Sequence, residues 1–525
     1  MSELVGTIFE TTSLTRVKFS TKPGGYVRVG SLVEIGKDSN KQLGRITSAE
    51  RKNYLIDQDG AVQLSKLFEQ NNSWNVNTIG IRGDFEDYII GEIEIIGRRD
   101  KKLFRRPDSP IPIGEKVFLA SKDFIKEQIE PLNESITIGS YRINKEIEVS
   151  FDINELISKH FCVLAMTGSG KSWAISVLVE RLAEKYDIPI VIFDPHGEYS
   201  SLCKNLNDKG IRIAKKLKIF VSASNIMKDN LDRLFKEKFG MDRNSKRLCV
   251  NIADLETYQI ISVLSNLHGL AEAQQRILQA GWSNIRNNPS LLQETNINEI
   301  LSALESIARE VTSGSASQKI LEAKMNLFYT HAPFIRKRAD DPQIKIEEIV
   351  KKGQITVIDM SGMELIYQQA LVAIIASKIL AGRIDRTIPP VLTIFEEAHR
   401  FIPSGAEINA SKPTLTRIAQ EGRKFLMGLG VVSQRPSRID SDILSQCNTQ
   451  IILRLTNPND QNYVRNISEY VTNSDLDEIR SLSPGEAYVF GSAIPLSLPI
   501  KIFEERYTEH GGYTPEISKE LEKFT

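Results

Sequence analysis

A chain of 525 residues exceeds what one hydrophobic core normally fills, so at least two domains are expected. Its 67 Lys and Arg balance 67 Asp and Glu, which excludes a surface that is basic throughout but leaves room for one basic channel. The cysteines Cys162, Cys203, Cys249 and Cys447 are scattered without CxxC spacing, a pattern of reduced thiols that gives no sign of a zinc site.

The N-terminus, MSELVGTIFETT, has no basic segment leading into an apolar one, and the best apolar run, ALVAIIASKILAG, is short and broken by Lys378. Neither a secretory signal nor a membrane span is expected, and the expected location is cytoplasmic. Over residues 1–121, short apolar runs such as YVRVGSLVEI, QLGRITSA, YIIGEIEIIG and IPIGEKVFLA alternate with Gly, Pro and Asp. That spacing predicts a small β-barrel or sandwich used for docking or oligomerisation. Residues 122–224 then open an α/β core, with Arg142 in the lead-in ITIGSYRINKEIEVSFDINELIS.

The stretch HFCVLAMTGSGKSWAIS, residues 160–176, organises the rest. Phe161–Ala165 reads as a buried strand, Thr167–Gly170 as a tight turn, and the residues from Lys171 onward as a helix. A phosphate-binding loop needs that order, because Gly168 and Gly170 let successive N–H groups curl around one centre at a helix N-terminus. Thr167, Gly168, Ser169, Gly170, Lys171, Ser172 and Trp173 form the expected nucleotide-binding set, with Lys171 reaching the β- and γ-phosphates and Ser172 ligating Mg²⁺. Ala165 stands where the first glycine of such loops is usual.

A second apolar strand, Ile188–Phe193, ends in Asp194-Pro195-His196-Gly197-Glu198-Tyr199. Glu198 or His196 would position water or sense the γ-phosphate there, unless Pro195 and Gly197 simply build a turn. Residues 225–338 carry apolar residues at helical spacing and predict a helical insertion with its own small bundle, in which Trp282, Phe328 and Tyr329 are core. The core resumes over residues 339–506. After the strand Ile355–Asp359 comes Val391–Phe395, which ends in Glu396 and Glu397. An apolar strand with an acidic tip is the Walker B arrangement: Glu396 would hold Mg²⁺ through water, and Glu397 would orient or deprotonate the attacking water. Two solvated glutamates at a strand end are the plain alternative. A helix over LTRIAQEGRKF leads to the strand Met427–Val432, whose tip offers Gln434 as a γ-phosphate sensor. Residues 507–525 read as a polar tail hinged at Gly511-Gly512.

Taken in order, TGSGKS, DPHGEY, TIFEEAHRF, EGRKF, VVSQRP and TQIILRLTNPND resemble the HerA-type translocases of the HerA–FtsK group of ATPases, over most of residues 121–506. The resemblance implies a RecA/FtsK-like P-loop α/β fold with a mainly parallel sheet, an N-terminal β-barrel and a helical insertion. It also implies a homo-hexameric ring that uses ATP and Mg²⁺ to move on double-stranded DNA, with a nuclease or other effector protein as partner. By the same resemblance Lys171 and Ser172 match the Walker A pair, Glu396 and Glu397 the Walker B pair, Gln434 the sensor, and Arg423 the arginine that enters a neighbour's site. Arg142 is placed like family arginines just before the ATPase. Ala165 and Glu396 depart from the commonest pattern. Arg423, expected on a helix facing the crevice, could instead serve a surface or internal ion pair. SGAEINASKPT, with Lys412 its one cation, is either a pore loop or an ordinary surface loop. Two rival readings stay open: an ATPase scaffold or switch that licenses an effector, for example in defence against foreign DNA, and a ring that moves protein or single strands.

Overall fold

In the computed structural model the described residues are 3–22, 25–36, 41–53, 87–100, 103–105, 107–221, 245–292, 296–311, 315–337, 341, 344–405, 408–467, 471 and 473–509. The predicted hinge at Gly511-Gly512, the start of the insertion at NLDRLFKEKF and most of KRADDPQ lie outside them. The chain forms two units, Met1–Leu132 with Ser140–Ser150, and Asn133–Gly139 with Phe151–Thr525.

In the first unit, alternating apolar residues set strands Leu4–Ser13 (β1), Arg16–Ser20 (β2), Leu32–Ile35 (β3), Gln42–Asn53 (β4), Asp87–Asp100 (β5), Leu103–Arg105 (β6) and Lys116–Leu119 (β7). They pair in the order β2-β1-β7-β3-β4-β5-β6, and β2 also pairs with β5, so the sheet closes into the expected barrel. Ile8, Val17, Phe19, Val33, Ile46, Ile93 and Val117 fill its interior. Closure leaves fewer open backbone edges, which suits a module without large flanking helices. The unit runs past residue 121, since the helix Lys122–Ile129, capped by Ser121, belongs to it.

Most of a twelve-stranded sheet belongs to the second unit. The sheet's strands are Ser135–Tyr141 (β8), Glu148–Asp152 (β9), Phe161–Leu164 (β10), Ile190–Asp194 (β11), Leu217–Val221 (β12), Ser245–Arg247 (β13), Ile355–Asp359 (β14), Val391–Phe395 (β15), Met427–Ser433 (β16), Thr449–Leu453 (β17), Glu486–Gly491 (β18) and Leu498–Ile502 (β19). Every residue of β10, β11, β14, β15, β16 and β17 is buried, as expected of parallel strands covered on both faces. The order is β13-β12-β14-β11-β15-β16-β10-β17-β18-β19-β8-β9, so β16 lies between the glycine-turn strand β10 and the acidic-tip strand β15. Parallel pairing then sets the loops after β10, β15 and β16 side by side beyond the strand ends. Gly430 allows the close spacing of β16 and β10, because a Cβ there would stand 2.6 Å from the Phe161 ring.

The insertion helices Thr257–His268, Glu272–Asn287, Ile297–Val311 and Ser315–His331 do not form a separate bundle core. Trp282 and Phe328 join one apolar cluster with the sheet and with the helix Leu365–Ile384, and the Trp282 indole N–H donates to Leu255 O at 2.7 Å. Tyr329 packs against that cluster while partly buried. The helix Leu365–Ile384 is 20 residues, longer than the apolar run suggested, and long and apolar enough to cross a membrane. Its apolar window is 72% buried inside the protein, and a helix enclosed on all sides is apolar all round for that reason. All four cysteines are free and buried, and burial pushes Cys203 up to about 12.

His160, at the entry to β10, ties three elements together. Its Nδ1 accepts the Leu429 N–H at 3.1 Å, which leaves Nε2–H to donate to Ala419 O at 3.1 Å. Burial lowers its pKa to about 4, against the bond to Ala419 that acts the other way. An unfolded histidine takes its proton near 6.5, so this contribution to stability is complete above that pH and is lost as pH falls toward 4. The loss reaches about 3 kcal/mol over that window. Urea melts at pH 7.5 and pH 5 should show a steeper decline for the native chain than for His160→Gln; equal slopes would remove His160 as the cause.

Residues 507 and 508 are fastened to the helix Lys171–Lys185. Buried Glu180 accepts the Tyr507 N–H at 3.1 Å, the Thr508 N–H at 2.8 Å and the Thr508 hydroxyl at 2.5 Å. The Arg181 guanidinium stacks 3.9 Å from the centre of the Tyr507 ring. The segment from 507 to 509 is therefore a clasp and not a loose tail.

Candidate active site

The glycine turn leaves β10 between two neighbours: Ala165 N–H donates to Ser433 O at 3.2 Å and Met166 N–H to Arg454 O at 3.0 Å. Ala165 continues the pairing with β16 without a left-handed φ, so no glycine is required there. Glycine is required three and five residues later, where Gly168 has φ +79° and Gly170, the residue capping the helix Lys171–Lys185, has φ +100°. The Ser169 hydroxyl closes the turn on Met166 O at 2.6 Å.

Phe193 and Phe395, the residues before the tips of β11 and β15, stack at 4.5 Å and 6°, which holds those tips in register. Beyond them Lys171, Glu396 and Glu397 are 5%, 1% and 6% exposed. The Lys171 ammonium bonds Glu396 Oε1 and lies 3.0 Å from Glu397 Oε1, so the glycine turn and the acidic tip meet directly. One ammonium faces two carboxylates, an excess of negative charge that suits a further cation. Tyr199, fully buried, donates its hydroxyl to Glu396 Oε2 at 2.7 Å. Burial, and after it the charge of Asp194, Glu198 and Glu397, raises its pKa well above the phenol range and keeps the hydroxyl a donor. The longer Glu396, where Asp is commoner, is thus held at both oxygens.

Glu397 sits in left-handed backbone, φ 49°, ψ 46°. Its Oε2 lies 3.2 Å from His399 Nδ1, and the same nitrogen lies 3.1 Å from Ser433 Oγ. Burial, with Arg435, Arg400 and Lys171 adding to it and Glu397 opposing, lowers the His399 pKa and keeps the ring neutral near pH 7. Ser172 Oγ donates to Glu198 Oε2 at 2.7 Å, and Thr167 Oγ1 to Gln434 Oε1 at 2.5 Å. Asp194 builds the turn beneath Glu198, accepting the N–H groups of His196, Gly197 and Tyr199 at 3.1, 2.9 and 2.8 Å. Burial raises its pKa to about 7. His196 is exposed and turned out of this network.

A curled glycine turn, a buried lysine and two carboxylates on a nearby strand tip make a P-loop ATPase site. The family described as "Helicase HerA, central domain" matches residues 136–379. A "DNA double-strand break repair helicase HerA" from Pyrococcus furiosus is 29% identical over 559 residues, covering 96% of this chain and 92% of that protein. A "Probable helicase MJECL08" of Methanocaldococcus jannaschii is 30% identical over 420 residues, 75% of each chain. The chain belongs to the HerA helicase family. Its fold also matches VirB4 of Thermoanaerobacter pseudethanolicus, with a TM-score of 0.51 at 13% identity over 72% of this chain and 98% of that one.

Some expected residues of this HerA-family chain stand elsewhere. Arg423 is exposed on a 3₁₀ turn, Gly422–Phe425, not on a helix facing the crevice, because the helix Lys412–Glu421 ends just before it. That turn enters β16 at its start, about 20 Å from the tip at Ser433 for a strand of this length, so Arg423 does not reach the site of its own chain. It has no ion pair among the described residues. Arg142 belongs to the first unit, just after β8. Trp173 faces the segment just after β19, its indole N–H donating to Phe503 O at 3.0 Å and its ring facing the Arg506 guanidinium at 5.0 Å. Lys412 is not a free loop cation: it pairs with Asp440 at 2.8 Å and donates to Pro403 O and Gly405 O at 2.9 Å. Tyr199, His399 and Ser433 join the site without having been singled out in the sequence. The first two stand inside DPHGEY and TIFEEAHRF, within five residues of acidic strand tips, which is the signal that could have found them.

Proposed function

We propose that this protein is an ATP-driven motor that assembles as a homo-hexameric ring and moves on double-stranded DNA, working with a nuclease or other effector as a separate chain. The observation that carries the reading is the direct contact of Lys171 with the acidic tip of β15, combined with an exposed Arg423 at the far end of β16. The first supports hydrolysis of a nucleoside triphosphate. The second supports an arginine donated across an interface. The names of the relatives support DNA as the track.

On binding ATP, Lys171 exchanges its carboxylate partners for the β- and γ-phosphates, and Thr167, Gly168, Ser169, Gly170 and Ser172 surround them. Magnesium held by Ser172 and, through water, by Glu396 would offset phosphate charge. Glu397, released from Lys171, takes the proton of the attacking water. A neighbour's Arg423 meets the charge that develops on the transferred group. Gln434, already bonded to Thr167, carries the loss of the γ-phosphate to β16.

The test is displacement of a third strand from a triplex built on long duplex DNA. Displacement should require ATP, and duplex DNA should stimulate hydrolysis. Both should weaken steeply as salt rises, because contacts to phosphates release counterions. Hydrolysis indifferent to duplex DNA at low salt, with no displacement, would refute the motor.

A further inference from the structure

We propose that His399 is a positioning residue for Glu397, and that it alternates between the catalytic carboxylate and the tip of the sensor strand. The inference rests on reading Glu397 as the general base. His399 Nδ1 has two partners within reach, Ser433 Oγ at 3.1 Å and Glu397 Oε2 at 3.2 Å, and one nitrogen carries either a lone pair or a hydrogen. Ser433 Oγ already accepts the Arg435 N–H at 3.0 Å, which directs its own hydrogen toward His399. In that arrangement Nδ1 accepts from Ser433 and Nε2 carries the proton. Glu397 is then held by Lys171 alone.

When Lys171 turns to the phosphates, Glu397 Oε1 becomes free to face water and Oε2 needs a donor. His399 supplies it by releasing the Nε2 proton to solvent and taking one at Nδ1, which leaves the net charge of the ring unchanged. Ser433 must give up its bond for this to happen. It is joined to the phosphate loop twice, through Ala165 N–H on its own carbonyl and through the adjacent Gln434 on Thr167. Movement of the loop around a triphosphate is thereby converted into a fixed orientation of the base. The left-handed backbone at Glu397 brings residues 397 and 399 onto one side of the strand end, where a single ring can touch both the carboxylate and β16.

The test uses the full chain and steady-state ATP hydrolysis. His399→Phe should lower kcat by about 10–100-fold with the KM for ATP within about twofold, as for partners that orient a catalytic ligand. His399→Asn, whose amide nitrogen stands where Nδ1 stood, should recover most of the loss. Ser433→Ala leaves His399 to Glu397 alone and should raise turnover without DNA while shrinking the stimulation by DNA. A kcat within twofold of wild type for His399→Phe, or a Ser433→Ala protein with unchanged basal turnover, overturns the proposal, and the second variant decides if the first does not fold. Glu397→Gln separates the two levels: an active Glu397→Gln protein removes the general-base reading itself, whereas an inactive one beside a normal His399→Phe removes only the role given to His399.

Discussion

Lys171→Ala lowers ATP turnover by ~10³-fold or more, the scale expected when a preorganised cation at the transferred phosphate is lost. The effect has two sources in the geometry. On the proposed function Lys171 is the ammonium that meets the triphosphate from the curled turn, and nothing else described at that point is cationic and buried. It is also the counter-charge of Glu396 and Glu397, which are 1% and 6% exposed. Without it two buried carboxylates face each other, so one takes up a proton or the acidic tip opens. The variant should therefore melt lower at pH 8 than the native chain and recover part of the difference at pH 5.5. Turnover measured by phosphate release decides the first point, and hydrolysis near the native rate would sink the assignment of the site.

Arg423→Ala should be nearly as damaging, by ~10³–10⁵-fold, the range for arginines that act on a neighbour's phosphoryl group. Its position makes the sharper prediction. The start of β16 and the tip of β16 are opposite ends of one strand, so a single chain cannot bring Arg423 to its own Lys171. Subunits of Arg423→Ala mixed with subunits of Lys171→Ala create interfaces in which one chain supplies an intact loop and the other an intact arginine. An equal, random mixture should recover about a quarter of native turnover per interface, provided each interface acts independently. No recovery at any ratio would show that Arg423 does not work across subunits.

The loop and the acidic tip were readable in the sequence because each is a contiguous string whose chemistry is local: glycines at positive φ before a helix, and carboxylates after an apolar strand. The barrel was readable for the same reason, from alternation and turns. Strand order was not, since nothing in the spacing of MGLGVVS says that β16 runs between β10 and β15. The same distance hid Tyr199 and Ser433, whose partners Glu396 and His399 come from other strands, 197 and 34 residues away. Arg423 was legible as a residue type and misplaced as a direction, because EGRKF continues a helical pattern while the chain turns at Gly422 to enter β16. The insertion looked self-contained because its helices are amphipathic, yet Trp282 and Phe328 bury against the same core as the helix Leu365–Ile384.

Glu180 and Thr508 are 328 residues apart. During synthesis at ~5–20 residues per second, the stretch between them takes roughly 15–65 s to emerge. The strand pairs that flank β10 also wait, since β16 and β17 come from the last quarter of the chain. A ribosome therefore releases the phosphate-binding turn long before either strand that flanks it exists, and a message cut short before codon 427 yields a product in which β10 has neither neighbour.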